Sequence, residues 1–270
     1  MKPVSARAVA VRALMRQEQG GYSNLVLDAE LRNQQLEERD KAFASAIFYT
    51  VIERQTTIDY ILGQFLPKGL GKLDASVRAI MRSALAQAKY MQVPPSAAVN
   101  EAVKLTRSFG KSSASGLVNA VLRKACNYDL NSAVFADETE RLMVLGSAGR
   151  PVAEFLLRCY PDEALDILSA STDDGMTALR ANSLLITPAE LAAKLTEGGI
   201  ARSAHTGTVP GSVLADFVGS PAQNDLFKQG LYHVEGQASQ LAALCVGAQP
   251  GETIIDLCAA PGGKTLAIAQ

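Results

Sequence analysis

The sequence predicts a multi-domain chain. An all-α helical bundle occupies residues 1–130, a linker 131–150, a small α+β unit 151–235, and the start of an α/β domain 236–270. Three observations predict this order. Up to about residue 122, apolar side chains recur at helical spacing with no alternating stretch. Residues 177–218 read as strand, helix, strand. Ile254-Ile255-Asp256 then leads through Pro261-Gly262-Gly263 into Leu266-Ala267-Ile268, which is the pattern of a buried strand, a tight turn and a helix start.

Composition excludes several classes. The 270 residues are 48% apolar, enough for real cores, yet no run of eighteen apolar residues suggests a membrane span. The N-terminus lacks the apolar core of a signal peptide. Cys126, Cys159, Cys245 and Cys258 lie far apart with no C-x-x-C pair, which argues against zinc and against a disulfide framework. A reducing cytoplasm is the expected setting. His205 and His233, the two histidines, are too separated to suggest a metal site. Charge is uneven: residues 1–130 hold 18 Lys and Arg against 11 Asp and Glu, a balance of +7, and residues 131–270 hold 8 against 16, a balance of −8. A basic front half suggests a module that faces nucleic acid.

The first helix spans 4–17, with Val4, Ala8, Val11, Leu14 and Met15 inward. Arg12 and Arg16 sit four apart on its other side, where a phosphate partner could relieve their repulsion; a plain solvated face reads equally well. Asp40 is expected to cap a helix carrying Phe43, Ile47 and Val51, and a further helix ends near Phe65. Asp74 caps the next, striped by Val77, Ile80, Met81, Ala84, Leu85 and Ala88. Val93-Pro94-Pro95 ends it. Ser96 starts a helix with Val99, Ala102, Val103 and Leu105 inward, closed by Gly110. Ser112 or Ser113 starts the last, with Leu117, Val118, Val121 and Leu122 inward. Lys104, Arg107 and Lys111 fall at i, i+3 and i+7, an edge that could meet phosphates or simply face water.

Residues 131–150 are polar and acidic, a connector with a helical turn near Leu142–Leu145. Arg150-Pro151 opens a short helix, and another follows Tyr160-Pro161-Asp162. A strand is expected over 177–182. Thr187-Pro188-Ala189-Glu190 is a capping box with proline at the first helical position, and Gly198-Gly199 closes that helix. A second strand is expected near Val213–Val218, and Gln237 to Gln240 begin a helix.

The terminal turn, Asp256-Leu257-Cys258-Ala259-Ala260-Pro261-Gly262-Gly263-Lys264-Thr265, carries the chemistry. A phosphate-cradling P-loop would need glycine where Cys258 stands, and the dinucleotide fingerprint fails because Gly262 and Gly263 are adjacent. The two glycines let backbone approach a ligand closely, Pro261 stiffens the turn, Lys264 adds positive charge, and the helix start can receive a carboxylate.

These ten residues resemble the S-adenosylmethionine loop of the RNA cytosine-5 methyltransferases, which implies a Rossmann-like methyltransferase domain and assigns Cys258, Ala259, Ala260, Pro261, Gly262, Gly263 and Lys264 to S-adenosyl-L-methionine. Pro94-Pro95-Ser96-Ala97-Ala98-Val99-Asn100-Glu101-Ala102-Val103 and Gly116-Leu117-Val118-Asn119-Ala120-Val121-Leu122 resemble the RNA-binding NusB fold, so the bundle is expected to be NusB-like. Leu179-Arg180-Ala181-Asn182 resembles the L-R-V-N strand of the same methyltransferases, with Ala181 departing from valine. Gly230 to Gln240 resembles their G-x-x-x-V-Q-D-x-A-S-Q; Glu235-Gly236 depart from Gln-Asp, and no role is assigned to that pair.

In its order of parts the chain resembles the bacterial ribosomal RNA small-subunit methyltransferase B family, also called Sun or Fmu. The resemblance implies transfer of a methyl group to carbon 5 of a cytosine in 16S ribosomal RNA. In that chemistry a cysteine thiolate adds to carbon 6, carbon 5 takes the sulfonium methyl, and a base removes the carbon 5 proton so that the thiol can leave. The target base must be unstacked first. The family's Pro-Cys nucleophile is absent from these 270 residues and is expected beyond Gln270, so Cys258 is read as loop and the chain alone is expected to be inactive. The alternative is an RNA-binding, antitermination-type protein without enzymatic activity, and a third reading is a nonfunctional remnant.

Overall fold

The computed structural model describes residues 5–32, 34, 36–170 and 175–270. The chain divides into two compact units, Met1–Ser171 and Thr172–Gln270. Val4, expected on the inner face of the first helix, lies outside the described residues.

The first unit is helical. Its elements are α1 (Ala6–Gln17), α2 (Ser23–Arg32), α3 (Glu38–Glu53), α4 (Gln55–Gly63), α5 (Ala75–Tyr90), α6 (Pro95–Ser108), α7 (Ser115–Ala125), α8 (Glu138–Leu145), α9 (Arg150–Cys159) and α10 (Ala164–Ala170). Helix α5 is the axis of the core. Val77, Ile80, Met81, Ala84 and Leu85 recur at 3.6-residue spacing, and all are buried against Phe48, Ile58, Ile61, Leu62 and Leu122. Caps fix the ends. Ser5 accepts the Ala8 N–H, and Asp74 accepts the Ser76 N–H at 2.9 Å.

Several local expectations shift. Helix α3 starts at Glu38 behind Glu37, so Asp40 sits within the first turn rather than at the cap. Pro95, not Ser96, opens α6, because a proline nitrogen has no N–H to leave unpaired at that position. Leu117, expected inward, is 42% exposed, because the buried face of α7 runs through Val118, Val121, Leu122 and Ala125 and Leu117 lies at its edge; a short 3₁₀ turn at Ser112–Ala114 precedes the helix, which starts at Ser115. The linker expected at 131–150 is largely ordered. Helix α8 lies within it, its Val144 carbonyl accepts the buried Thr57 Oγ1–H of α4 at 2.5 Å, and Leu142 packs with Ala153, Leu156 and Ala164. Helices α9 and α10 therefore belong to the helical unit rather than to the α+β unit.

The second unit is built on β1 (Thr177–Ala181), α11 (Pro188–Glu197), β2 (Ala201–Thr206), β3 (Ser212–Phe217), α12 (Asp225–Lys228), β4 (Tyr232–Val234), α13 (Gln237–Leu244) and α14 (Gly263–Ala269). The strands form one antiparallel sheet in the order β2-β3-β1-β4, with Leu179 opposite Val213 and Val234. The capping box at Thr187 and Glu190 forms in full and starts α11, whose Leu191 and Leu195 are completely buried with Leu179, Ala181, Val213 and Ala215. Ala181 fills that core, where the resembled motif has valine. Strand β2 (Ala-Arg-Ser-Ala-His-Thr) escapes an apolar pattern because it lies at the sheet edge with its side chains largely exposed.

The buried strand expected at Ile254-Ile255-Asp256 does not form. Among the described residues no strand lies beside this segment, and an extended chain without a ladder partner is not a strand. Ile255 and Leu257 are 78% and 91% exposed. The turn and the helix that follow do form, as α14. Among the described residues no helix is long and apolar enough to cross a membrane.

Two tests follow from this packing. Leu85→Ala should destabilise the helical unit by about 2–5 kcal/mol in denaturant titration. The Lys111 ammonium, 2.6 Å from Asp74, together with Ser76, holds the Asp74 carboxyl down at about 2, and hydrogen bonds from Arg78 lower that of Glu18. Depressed folded values favour the native state above the unfolded range near 4, and this contribution disappears as pH falls from about 4 toward 2. The melting temperature should drop across that window, and less steeply in Asp74→Asn, which keeps the cap but not the charge.

Candidate functional site

The turn between Asp256 and α14 is closed by one carboxylate. Asp256 Oδ1 accepts the Cys258 N–H at 2.9 Å, and Oδ2 accepts the Thr265 Oγ1–H at 2.7 Å. Residues before and after the glycines are thus held by the same side chain. These two hydrogen bonds, Thr265 first, with the positive charge of Lys264, lower the Asp256 carboxyl below its ordinary value. The group stays an acceptor at neutral pH.

Within this clasp, Gly262 has φ +107°, a conformation that side chains rarely adopt, and its carbonyl accepts the Leu266 N–H at 2.9 Å as the first bond of α14. Gly263 is constrained for a different reason. A Cβ there would lie 3.3 Å from Glu235 Oε1 and 3.8 Å from His233 Nε2, so Glu235 would have to give by a few tenths of an ångström. Cys258 to Gly262 form the turn, and Gly263 and Lys264 are the first residues of α14. Cys258, Ala259, Ala260, Pro261 and Lys264 are exposed, and the two glycines are half-buried. A cavity of about 530 Å³ adjoins the clasp and is lined by Asp256, Thr265, Ile254 and Ile268, but by none of Cys258–Lys264.

Glu235 and Arg180, which sequence reasoning left without a role, lie behind this loop. Along β1, Leu179 and Ala181 enter the apolar core with α11. The residue between them alternates to the other side. There the Arg180 Nε–H donates to Glu235 Oε2 at 2.9 Å, both side chains being buried, and Arg180 also donates to Gln270 Oε1. The Ser239 Oγ–H donates to Glu235 Oε1 at 2.9 Å. Gln240, buried at the same junction, donates from Nε2 to the carbonyls of Leu179 and Glu235. Gln237 Oε1 accepts from Thr208, Val209 and Ser212 and holds the β2–β3 turn.

The basic residues of the helical unit are not a free edge. Arg12 and Arg16 converge on Glu30 of α2, which is 3% exposed; Arg12 Nε is 3.1 Å from Oε2 and Arg16 Nη1 2.9 Å from Oε1. Their mutual repulsion is relieved from inside the protein, although the Arg16 side chain remains 54% exposed. Lys104 pairs with Glu101 at 2.7 Å. Lys111 lies beyond the end of α6, past Gly110 at φ +71°, and turns to Asp74, so it does not share an edge with Lys104. Arg107 is exposed. The signal for Glu30 was present in the sequence as a carboxylate between the apolar Leu27 and Leu31. The partners of Asp256 and Glu235 had no such signal.

Comparison with known proteins gives a consistent picture. Residues 4–127 match the NusB family. The probable ribosomal RNA small subunit methyltransferase B of Synechocystis sp. is 30% identical over 99% of this chain and 61% of its own length. The Bacillus subtilis protein of the same name is 28% identical over 100% of this chain and 61% of its length. The ribosomal RNA small subunit methyltransferase B of Xanthomonas campestris is 32% identical over 84% of this chain and 49% of its length. The chain thus spans about three-fifths of the first two relatives. The crystal structure of PH0851 superposes with a TM-score of 0.67 at 22% identity, covering 100% of this chain and 61% of that one, which shows a shared fold.

Gly262→Ala should cost about 1–2 kcal/mol of local stability, because the left-handed conformation penalises a Cβ. Asp256→Asn removes an ionised acceptor from the clasp. Proteolytic cleavage within residues 257–262 should then accelerate, while cleavage in α11 should not.

Proposed function

We propose that this chain, whose relatives are named ribosomal RNA small subunit methyltransferase B, serves S-adenosylmethionine-dependent methylation of carbon 5 of a cytosine in 16S ribosomal RNA. The observation that carries this reading is the clasped loop from Asp256 to Thr265, with its left-handed Gly262 and its cofactor-type sequence. The residues suit the methyl donor. Gly262 and Gly263 keep the backbone open to close approach, Lys264 supplies a cation for a carboxylate, and Asp256 fixes the turn. S-adenosylmethionine would supply an electrophilic sulfonium methyl at this loop. Residues 236–270 would begin a Rossmann-like methyltransferase domain, and none of the four cysteines here is preceded by proline, so the attacking thiolate is assigned to none of them.

The NusB-type bundle would grip ribosomal RNA through phosphates and shape. Of the candidates from the sequence, Arg107 is exposed. Arg16, paired with Glu30, Lys104, paired with Glu101, and Lys111, paired with Asp74, would offer phosphate the exposed part of side chains that already hold a carboxylate. A second reading keeps only the RNA-binding function of the bundle, and the +7 balance of residues 1–130 favours it.

Transfer of labelled methyl from S-adenosylmethionine to 16S RNA, with the product base identified after digestion, tests the proposal. A protein extended to its relatives' full length is expected to yield 5-methylcytosine, and these 270 residues alone none. An extended protein that binds 16S RNA but methylates nothing would leave the RNA-binding reading in its place. In filter binding across a salt series, Arg16→Ala should weaken RNA affinity uniformly across sequences and reduce the log–log salt slope by about 1.

A further inference from the structure

The departure of Glu235 from the resembled motif, unexplained in the sequence, has a physical reading. Its side chain lies between Arg180 of β1 and Gly263 of the cofactor-type segment. On one side Oε2 holds Arg180, which strand alternation places in a buried position where its charge needs a carboxylate. On the other side Oε1 accepts from Ser239 and lies 3.3 Å from where a Cβ of residue 263 would be. The Glu235 backbone is fixed as well, since its N–H donates to the Ala178 carbonyl at 3.1 Å and its carbonyl accepts from Gln240 at 2.7 Å. Nothing in this arrangement lets the carboxylate move without breaking a buried contact.

We propose that Glu235 is a positioning residue for the methyl-donor loop: anchored by Arg180 and Ser239, its carboxylate sets how closely Gly263 can approach the sheet and thereby the place of Cys258–Lys264. This rests on the proposed function for the identity of the ligand, but the positioning itself concerns residues of this chain alone. The amide of a glutamine keeps the shape but only one acceptor oxygen, so it can accept from Arg180 or from Ser239 and not from both as the carboxylate does, and it leaves the Arg180 charge unneutralised; alanine removes both contacts. Glu235→Gln is therefore the intermediate variant and Glu235→Ala the disruptive one. Ser239→Ala, which removes one anchor and leaves the ion pair, is the milder probe if Glu235→Ala does not fold.

Amide hydrogen exchange on the 270-residue chain separates this role from general support of the fold. In Glu235→Ala, or in Ser239→Ala to a lesser degree, exchange at residues 257–264 should rise tenfold or more relative to the amides of β1 and β3. Glu235→Gln should fall between Glu235→Ala and the parent chain. Equal acceleration in loop and sheet, or no change in the loop, would overturn the inference. Titration with S-adenosylmethionine is the second readout. If the parent chain binds it, Glu235→Ala should weaken binding at least tenfold and Glu235→Gln should recover part of the loss. Undiminished affinity in Glu235→Ala would overturn the inference. A parent chain that binds no S-adenosylmethionine would count against the proposed ligand, and the exchange experiment would still decide the role of Glu235.

Discussion

A charge that cannot be left alone organises the second unit. Strand β1 is covered on both faces, so its alternation sends Leu179 and Ala181 into one core and Arg180 into another buried place. A buried guanidinium without a partner would cost several kcal/mol, of the order of 3–5 for a broken buried pair. Glu235 is that partner, and its position fixes the junction between β4 and α13. Ser239 and Gln240 close the junction, and Gly263 packs against the same carboxylate. From there the clasp of Asp256 over Cys258 and Thr265 gives the loop its shape. The site is thus held by two carboxylates, one buried behind it and one spanning it.

The helical unit follows a comparable logic with different means. Its stability comes from the apolar stripe of α5, and its charges are spent within the unit. Glu18 holds Arg78 and Arg82, Asp59 holds Arg82, Glu30 holds Arg12 and Arg16, and Asp74 holds Lys111. The formal excess of +7 is therefore distributed over a surface in which many cations already have partners. An RNA ligand would meet those that keep exposed faces, and steering by the summed field would matter more than any single contact.

Much of this was legible in the residues. Helical periodicity located α1, α5, α6 and α7, and the Thr187 capping box located α11 to the residue, because those signals are local. The glycine turn and the start of α14 were legible for the same reason. Strands β2 and β4 were not. One is a polar edge and the other has three residues, and both owe their form to pairing with distant partners. The strand expected at Ile254 illustrates the converse. Its apolar sequence is suited to a sheet, but extended residues become a strand only beside another. The pairing of Arg180 with Glu235, 55 residues apart, is a tertiary fact that no spacing encodes.

The central claim is that the loop from Cys258 to Lys264 recognises a sulfonium methyl donor. Titration of the isotopically labelled chain with S-adenosylmethionine, with S-adenosylhomocysteine and with ATP, followed by amide NMR, tests it most directly. The account predicts that the first two perturb the amides of residues 258–264 and compete with each other, and that ATP leaves those amides unmoved. Perturbation of the same amides by ATP, or no response to either adenosyl compound, would contradict it.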